Sequence, residues 1–590
     1  MILTSFGCQI TPGTPTTPQD RRSEATPRDA ESLLAEARTA DPDVAASLYL
    51  EAARELLARG DLAQAEAALD SIDAERLPRK SRFTFDVTRA EVALDGGRAL
   101  DALRILESLP IGNRSQMQES SVLLARAAAE AGQPARAAEA LMQLEEPADR
   151  DAAYELNDRI WAYLVQAPPL EIESRAAVPD DPVPQGWWQL VAALERAFDV
   201  NEQRLQLARW QRQFADHPAA RFPPRALGLV EHPSFTARRI ALLLPFSGPL
   251  ATAGRAVRDG FVAAFYRSEA DRSILVYDTT DQDIGALYEQ AVQDGAEAIV
   301  GPLDKTSVSA LNALPVRQLP ALVLNQLSWP ETPAPGIYQF ALAIEDEGRA
   351  IARRVAEDRR LRIVLLRSDE DWAQRATSAF FEAWPGGRDA LVASDVIYDI
   401  KGLTDTIARA LLVDQSAARA NELSAMLGQS LEFVPRRRED IDAVVAFVDS
   451  LQARALNPGL AYYFASDVPV YTSSQAVQGL DRSGLGDLEG ARVSQIPWRI
   501  GTDPVRTELE GAFADARGAL SSLFAFGVDA YRIVDRLGTL SSLPHGRILG
   551  GTGILTFAED GRVQRDLAWS IVRGGRIDPL PVIVMSPPAE

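Results

Sequence analysis

Residues 239–261 read RIALLLPFSGPLATAGRAVRDGF. Residues 240–244 are a short aliphatic run closed by Pro245, Ser247, Gly248 and Pro249. That pattern predicts a strand buried on both faces of a parallel sheet. After Leu250 the apolar period changes: Ala253, Ala256, Val257, Gly260, Phe261 and Ala264 recur three and four apart, as on one face of a helix. Strand, tight turn and helix make the first βα unit of an open α/β domain. In such a sheet ligands sit in the crevice beyond the carboxyl ends of the strands, where this turn lies.

Toward the C-terminus the pattern repeats. Strands are expected at 274–278, 298–301 and 320–325, with helices at 286–294 and 307–314. A helix at 345–357 leads into a second series: strand 362–366, helix 372–384, strand 392–398, helix 403–412, and strands 443–448 and 468–472. Repeated βαβ predicts doubly wound parallel sheets, and two series predict two lobes with a cleft between them.

Toward the N-terminus the composition turns to Ala, Leu, Glu and Arg at helical spacing. GDLAQAEAAL, GRALDALRIL and GQPARAAEAL begin at Gly60, Gly97 and Gly132, 37 and 35 residues apart. Each carries Ala five places on (Ala65, Ala102, Ala137) and Leu nine places on (Leu69, Leu106, Leu141). A Gly that ends one helix, followed by a small residue where two helices meet, predicts helical hairpins, and the period is similar to the tetratricopeptide repeat. A plain helical bundle is the other reading. Before it, residues 9–27 are rich in Thr and Pro and read as an extended tether, reaching on the order of 60 Å at about 3 Å per residue. The fold class is thus α plus α/β. We expect a leader remnant and tether at 1–28, a helical repeat domain at 29–218, a proline-marked linker at 219–236 and a bilobal α/β domain at 237–590.

At 590 residues the chain needs two or more cores. Its net charge of −22 argues against a nucleic-acid partner, which a basic face would serve. One cysteine excludes an internal disulfide and a cysteine-rich zinc site. Cys8 follows Gly7 and precedes the tether, as at a bacterial lipoprotein cleavage site. Ser5 and Phe6 depart from the usual residues there, and the stretch before them is too short for a charged region and an apolar one. Lipidation of Cys8 and an incidental cysteine are both open readings.

Catalysis finds no constellation. His217 and His232 each precede a proline, His545 precedes Gly546, and none stands at metal-ligand spacing to another. Ser247 lacks the Gly two residues before it that a nucleophile elbow needs. We expect no enzyme activity, no metal and no cofactor. Hydrogen-bonding residues do gather at the expected strand ends: Ser247, Gly248, Asn325, Gln326, Ser473 and Ser474. They either line a cleft for a small polar ligand or cap turns. Arg436, Arg437 and Arg438 either meet carboxylates of a partner or pair with Glu432, Glu439 and Asp440 nearby.

Six stretches carry a resemblance. They are IALLLPFSGPLATAGRAVRDGF at 240–261, AIEDEGRAIA at 343–352, SAARANELSAMLGQSLEFVPRRREDIDAVVAF at 416–447, VPVYTSS at 468–474, DLEGARVSQIPW at 487–498 and GTGILTFAEDGRVQRDLAWSIVRGGRI at 551–577. The α/β half resembles type I periplasmic binding proteins, and these stretches resemble the LpoA family of penicillin-binding protein activators. The resemblance implies a non-catalytic regulator of peptidoglycan synthesis, held in the outer membrane by a lipid on Cys8. Its helical part would reach through the peptidoglycan, and its receptor-like domain would bind and stimulate a class A penicillin-binding protein. The alternative is a periplasmic solute receptor for an amino-acid-like ligand. A peptidoglycan hydrolase is disfavoured by the missing catalytic groups.

Overall fold

The three glycine-marked repeats fold as three helical hairpins in the computed structural model, which describes residues 29–178, 181–232, 235–268, 270–328, 330–387, 390–430, 432–501, 503–540, 546–558 and 560–580. The tether with Cys8, and His545, lie outside these residues. The chain divides into two compact units, Met1–Glu145 and Glu146–Glu590.

In the first unit each hairpin joins a long helix to a short one. The pairs are Pro42–Ala58 with Leu62–Asp70, Arg79–Asp95 with Ala99–Glu107, and Arg114–Glu130 with Pro134–Met142. The turns sit at Gly60, Gly97 and Gly132, whose φ of 79°, 73° and 74° is left-handed backbone that a Cβ disfavours. The next residue returns its N–H to the last turn of the long helix: Asp61 to the Leu56 carbonyl, Arg98 to Ala93 and Gln133 to Ala128. Ala65, Ala102 and Ala137 are wholly buried, and Leu69, Leu106 and Leu141 are buried beside them. Small residues at those points let the paired helices approach.

The second unit opens with helices Arg150–Leu164, Pro169–Ala177, Pro182–Arg196 and Val200–Gln213. The stretch expected as a linker holds two short helices, Pro218–Arg221 and Arg225–Glu231. Pro218 opens the first at a helical position where the missing N–H costs nothing, and Pro224 stands just before the second. Asn157 Nδ2 donates to the carbonyls of Pro218 (3.1 Å) and Phe222 (2.8 Å). These helices are fastened to the α/β part by buried polar contacts. Val200 N–H donates to Asp535 (3.0 Å), Arg536 to the Ala197 carbonyl (2.9 Å) and Arg547 to the Ala167 carbonyl (2.7 Å). Arg547 also pairs with Glu195 at 2.5 Å.

The first lobe is built on strands β1 (Arg239–Leu244), β2 (Ser273–Asp278), β3 (Ala298–Val300), β4 (Ala321–Val323) and β5 (Ile337–Gln339), all parallel in the order β2-β1-β3-β4-β5. Residues 240–244 are wholly buried, which their uninterrupted apolar run requires. The second lobe holds β6 (Ile363–Ser368), β7 (Leu391–Ile397), β8 (Ala443–Phe447), β9 (Val470–Thr472) and β10 (Arg492–Gln495). The chain then returns to the first lobe for the helix Ser521–Leu540 and a small antiparallel sheet, β11 (Arg547–Leu549), β12 (Ile554–Phe557) and β13 (Val563–Asp566). It crosses again to add β14 (Ala568–Arg573) and β15 (Arg576–Pro579) antiparallel at the edge of the second sheet, whose order is β15-β14-β10-β9-β8-β6-β7. The lobes are therefore joined by three crossings of the chain.

Helix Ser521–Leu540 is the centre of the first lobe. It lies against the helix Ala251–Ser268 so closely that backbone meets backbone. A Cβ on Gly260 would stand 2.1 Å from the Phe524 carbonyl oxygen, and one on Gly527 would stand 2.0 Å from that of Val257. Phe261 and Phe526, one from each helix, are buried in the same core.

Candidate functional site

The carboxyl ends of the two sheets carry the residues singled out from the sequence. In the first lobe, Ser247 and Gly248 follow β1 and are exposed. Their turn is tied to the end of β2. Phe246 N–H donates to Asp278 (3.0 Å) and Ser247 N–H to Thr280 Oγ1 (3.2 Å), while the Thr280 hydroxyl donates to Asp278 (2.7 Å). The Thr280 side chain first, then the N–H groups of Thr280 and Phe246, hold the Asp278 carboxyl below the usual carboxylate range. Asn325 and Gln326 follow β4. Asn325 Nδ2 donates to the Leu303 carbonyl (2.9 Å), and its Oδ1 accepts the Gln326 N–H (2.9 Å). In this lobe the hydrogen bonds brace loops.

In the second lobe the polar groups converge. Ser474, just beyond β9, donates its N–H to Glu347 Oε2 (2.6 Å) and its hydroxyl to Oε1 (2.7 Å). Ser494, on β10, donates its hydroxyl to Glu347 Oε2 (2.7 Å). Glu347 sits in the first turn of the helix Ile344–Glu357. Ser473 is wholly buried and its Oγ has no hydrogen-bond partner among the described residues; the same holds for both amide atoms of Gln495. Arg499 lies in the short helix Pro497–Ile500 at the second crossing. Burial lowers its guanidinium, and the charge of Glu347 works against that shift. Among the described residues, no hydrogen bond or ion pair links Ser247, Asn325 or Gln326 to Ser473 or Ser474.

The sequence reading passed over Glu347, Ser494, Gln495 and Arg499. The signal for two of them was present: Ser494-Gln495 puts two polar residues at the close of a strand that packs in the core.

The three arginines divide. Arg437 grips both oxygens of Asp467 (2.9 and 2.7 Å) and donates to the Phe464 carbonyl (2.8 Å). Arg438 grips Asp440 (2.7 and 3.0 Å), and that bond is the main cause holding the Asp440 carboxyl below its usual range. Arg436 is exposed, and its side chain makes no ion pair among the described residues. Two residues before it Val434 is an exposed apolar side chain, 64% accessible. Among the described residues no cluster of His, Cys, Asp and Glu has the form of a metal site, and no helix is long and apolar enough to cross a membrane.

This architecture has relatives along nearly its whole length. The penicillin-binding protein activator LpoA of Vibrio antiquarius is 25% identical over 523 residues, covering 86% of this chain and 86% of that protein. The protein of the same name from Photobacterium profundum is 25% identical over 564 residues, covering 93% and 91%. The crystal structure of Haemophilus influenzae LpoA shares the fold, with a TM-score of 0.54 and 20% identity across 94% of this chain and 98% of that one. The family model that matches is described as "LppC putative lipoprotein". Because that match runs from residue 24 to residue 575, through the hairpin repeats and both lobes, this chain belongs to the LppC family.

Proposed function

We propose that the chain is a non-catalytic activator of peptidoglycan synthesis that binds a class A penicillin-binding protein from the periplasmic face of the outer membrane. The observation that carries this is the end-to-end likeness to proteins named penicillin-binding protein activator: 86–93% of this chain aligns with them, helical repeats included. A solute receptor has no need of the hairpin repeats. In this reading Cys8 bears the lipid and the tether at 9–27 spans away from the membrane. The exposed Arg436 is offered as part of the docking face.

The test is peptide cross-linking by a class A penicillin-binding protein of the same organism, with and without the purified chain lacking residues 1–27. A rise in cross-linking is expected. No rise, together with no detectable complex, would sink the activator reading. Mass measurement of the chain extracted from membranes tests the anchor, which an unmodified Cys8 would remove.

A further inference from the structure

We propose that the ends of β9 and β10 form a carboxylate-binding site that the chain fills with its own Glu347. In an open parallel sheet the crevice beyond adjacent strand ends is where ligands bind. Here three donors from two neighbouring strands meet on one group: the N–H and hydroxyl of Ser474 and the hydroxyl of Ser494, all at 2.6–2.7 Å. Short bonds to an ionised acceptor are the stronger class of hydrogen bond. A carboxylate accepts about four hydrogen bonds, so Glu347 is nearly saturated.

Glu347 reaches the site because its helix begins at the first crossing between the lobes, and that turn is clamped. Arg565, on β13, donates to Asp346 (2.9 Å) and to the Ala343 carbonyl (2.8 Å), and the Arg565 and Asp346 side chains are both buried. The clamp fixes the turn from which Glu347 extends. Ser473, next in the chain to Ser474, is wholly buried with its Oγ unpaired among the described residues, a polar group left over at the end of β9. Arg499, which makes no hydrogen bond or ion pair of its own through its guanidinium among the described residues, supplies a positive charge on which Glu347 acts. A free amino acid or other small carboxylate would have to displace a tethered one. Tethering gives Glu347 an effective concentration of about millimolar or more, which a weak solute does not overcome. This inference does not depend on the activator reading.

The test is thermal unfolding of the full chain, as wild type, E347A and E347Q. Each is measured against acetate, propionate and leucine, with sodium chloride at matched ionic strength. The wild type is expected to respond to the carboxylates no more than to chloride. E347A is expected to melt lower by at least about 2–4 °C, and to recover part of that loss saturably with acetate or propionate but not with chloride. Saturable stabilisation of the wild type by any of the three carboxylates overturns the proposal. So does an E347A protein that melts with the wild type, or one that no carboxylate rescues. Where E347A does not fold, E347Q decides. It keeps the side-chain volume and replaces one acceptor oxygen with a donor. It is expected to melt below the wild type, and melting at the wild-type temperature overturns the proposal.

Discussion

His217 shows how one side chain can hold a junction between helices. Its Nδ1 accepts the Ala219 N–H (3.1 Å), so the proton is on Nε2, which donates to the Val183 carbonyl (2.9 Å). Trp187, Trp210 and Phe214 surround the ring. Burial lowers its pKa, with the bond to Val183 acting in the opposite direction. The folded state therefore favours the neutral ring. Its contribution to stability is complete above the ordinary histidine value of about 6.5 and is lost as pH falls through the lower folded value. Urea unfolding of the wild type and H217Q between pH 7 and 5 should give curves that differ most at pH 7 and converge toward pH 5; a constant difference would remove the titration from the account. The arginine run divides the same way by partner. R437A, which loses the grip on Asp467 and Phe464, should cost about 1 kcal/mol. R436A should stay within about 0.5 kcal/mol of the wild type while weakening binding to the proposed partner, a class A penicillin-binding protein. Unchanged affinity for R436A would move the docking face elsewhere.

At the scale of the element, the contact between helices Ala251–Ser268 and Ser521–Leu540 depends on Gly260 and Gly527 presenting bare backbone. G527A places a methyl group 2.0 Å from the Val257 oxygen. It should cost about 1–3 kcal/mol or more in urea unfolding, because the helices must separate to admit it. A cost below a few tenths would mean the helices slide freely. The first of these helices was legible in the sequence because its apolar positions keep one spacing from Ala253 to Ala264. The second was not. It is nearly all buried, yet it carries Asp529, Arg532, Asp535 and Arg536, charges that a sequence reading assigns to solvent. They are buried because each has partners from distant segments. Asp529, for example, accepts the N–H groups of Gly551 (2.8 Å) and Thr552 (2.7 Å) and bonds Arg532 (3.1 Å). The turn glycines of the repeats were legible for the opposite reason, since their role is local. At the candidate site Ser474 could be picked out as a strand-end hydroxyl. Its partner Glu347 lies 127 residues away, and no local pattern joins the two.

At the scale of the whole molecule, the helices at 150–231 belong with the lobes in one compact unit. A fragment of residues 146–590 should melt as the lobes do in the full chain. A fragment of residues 237–590 should melt markedly lower. It leaves Arg547 without Glu195, Asp535 without the Val200 N–H and Arg536 without the Ala197 carbonyl. Stripping one partner from a buried charge costs about 3–5 kcal/mol. Equal melting of the two fragments would show that those contacts carry no stability. The proline-rich stretch at 219–236 concealed this, because helix-starting prolines and helix-breaking prolines look alike until the partners of the neighbouring side chains are known. The first unit follows a different rule. Each hairpin closes on its own glycine, alanine and leucine, and packs on the hairpin beside it. Its length is thus a heritable quantity that changes in whole steps. Duplicating or deleting one segment of 35–37 residues in the gene would lengthen or shorten the N-terminal unit without altering a single contact inside the lobes, so the size of one unit and the packing of the other are free to evolve separately.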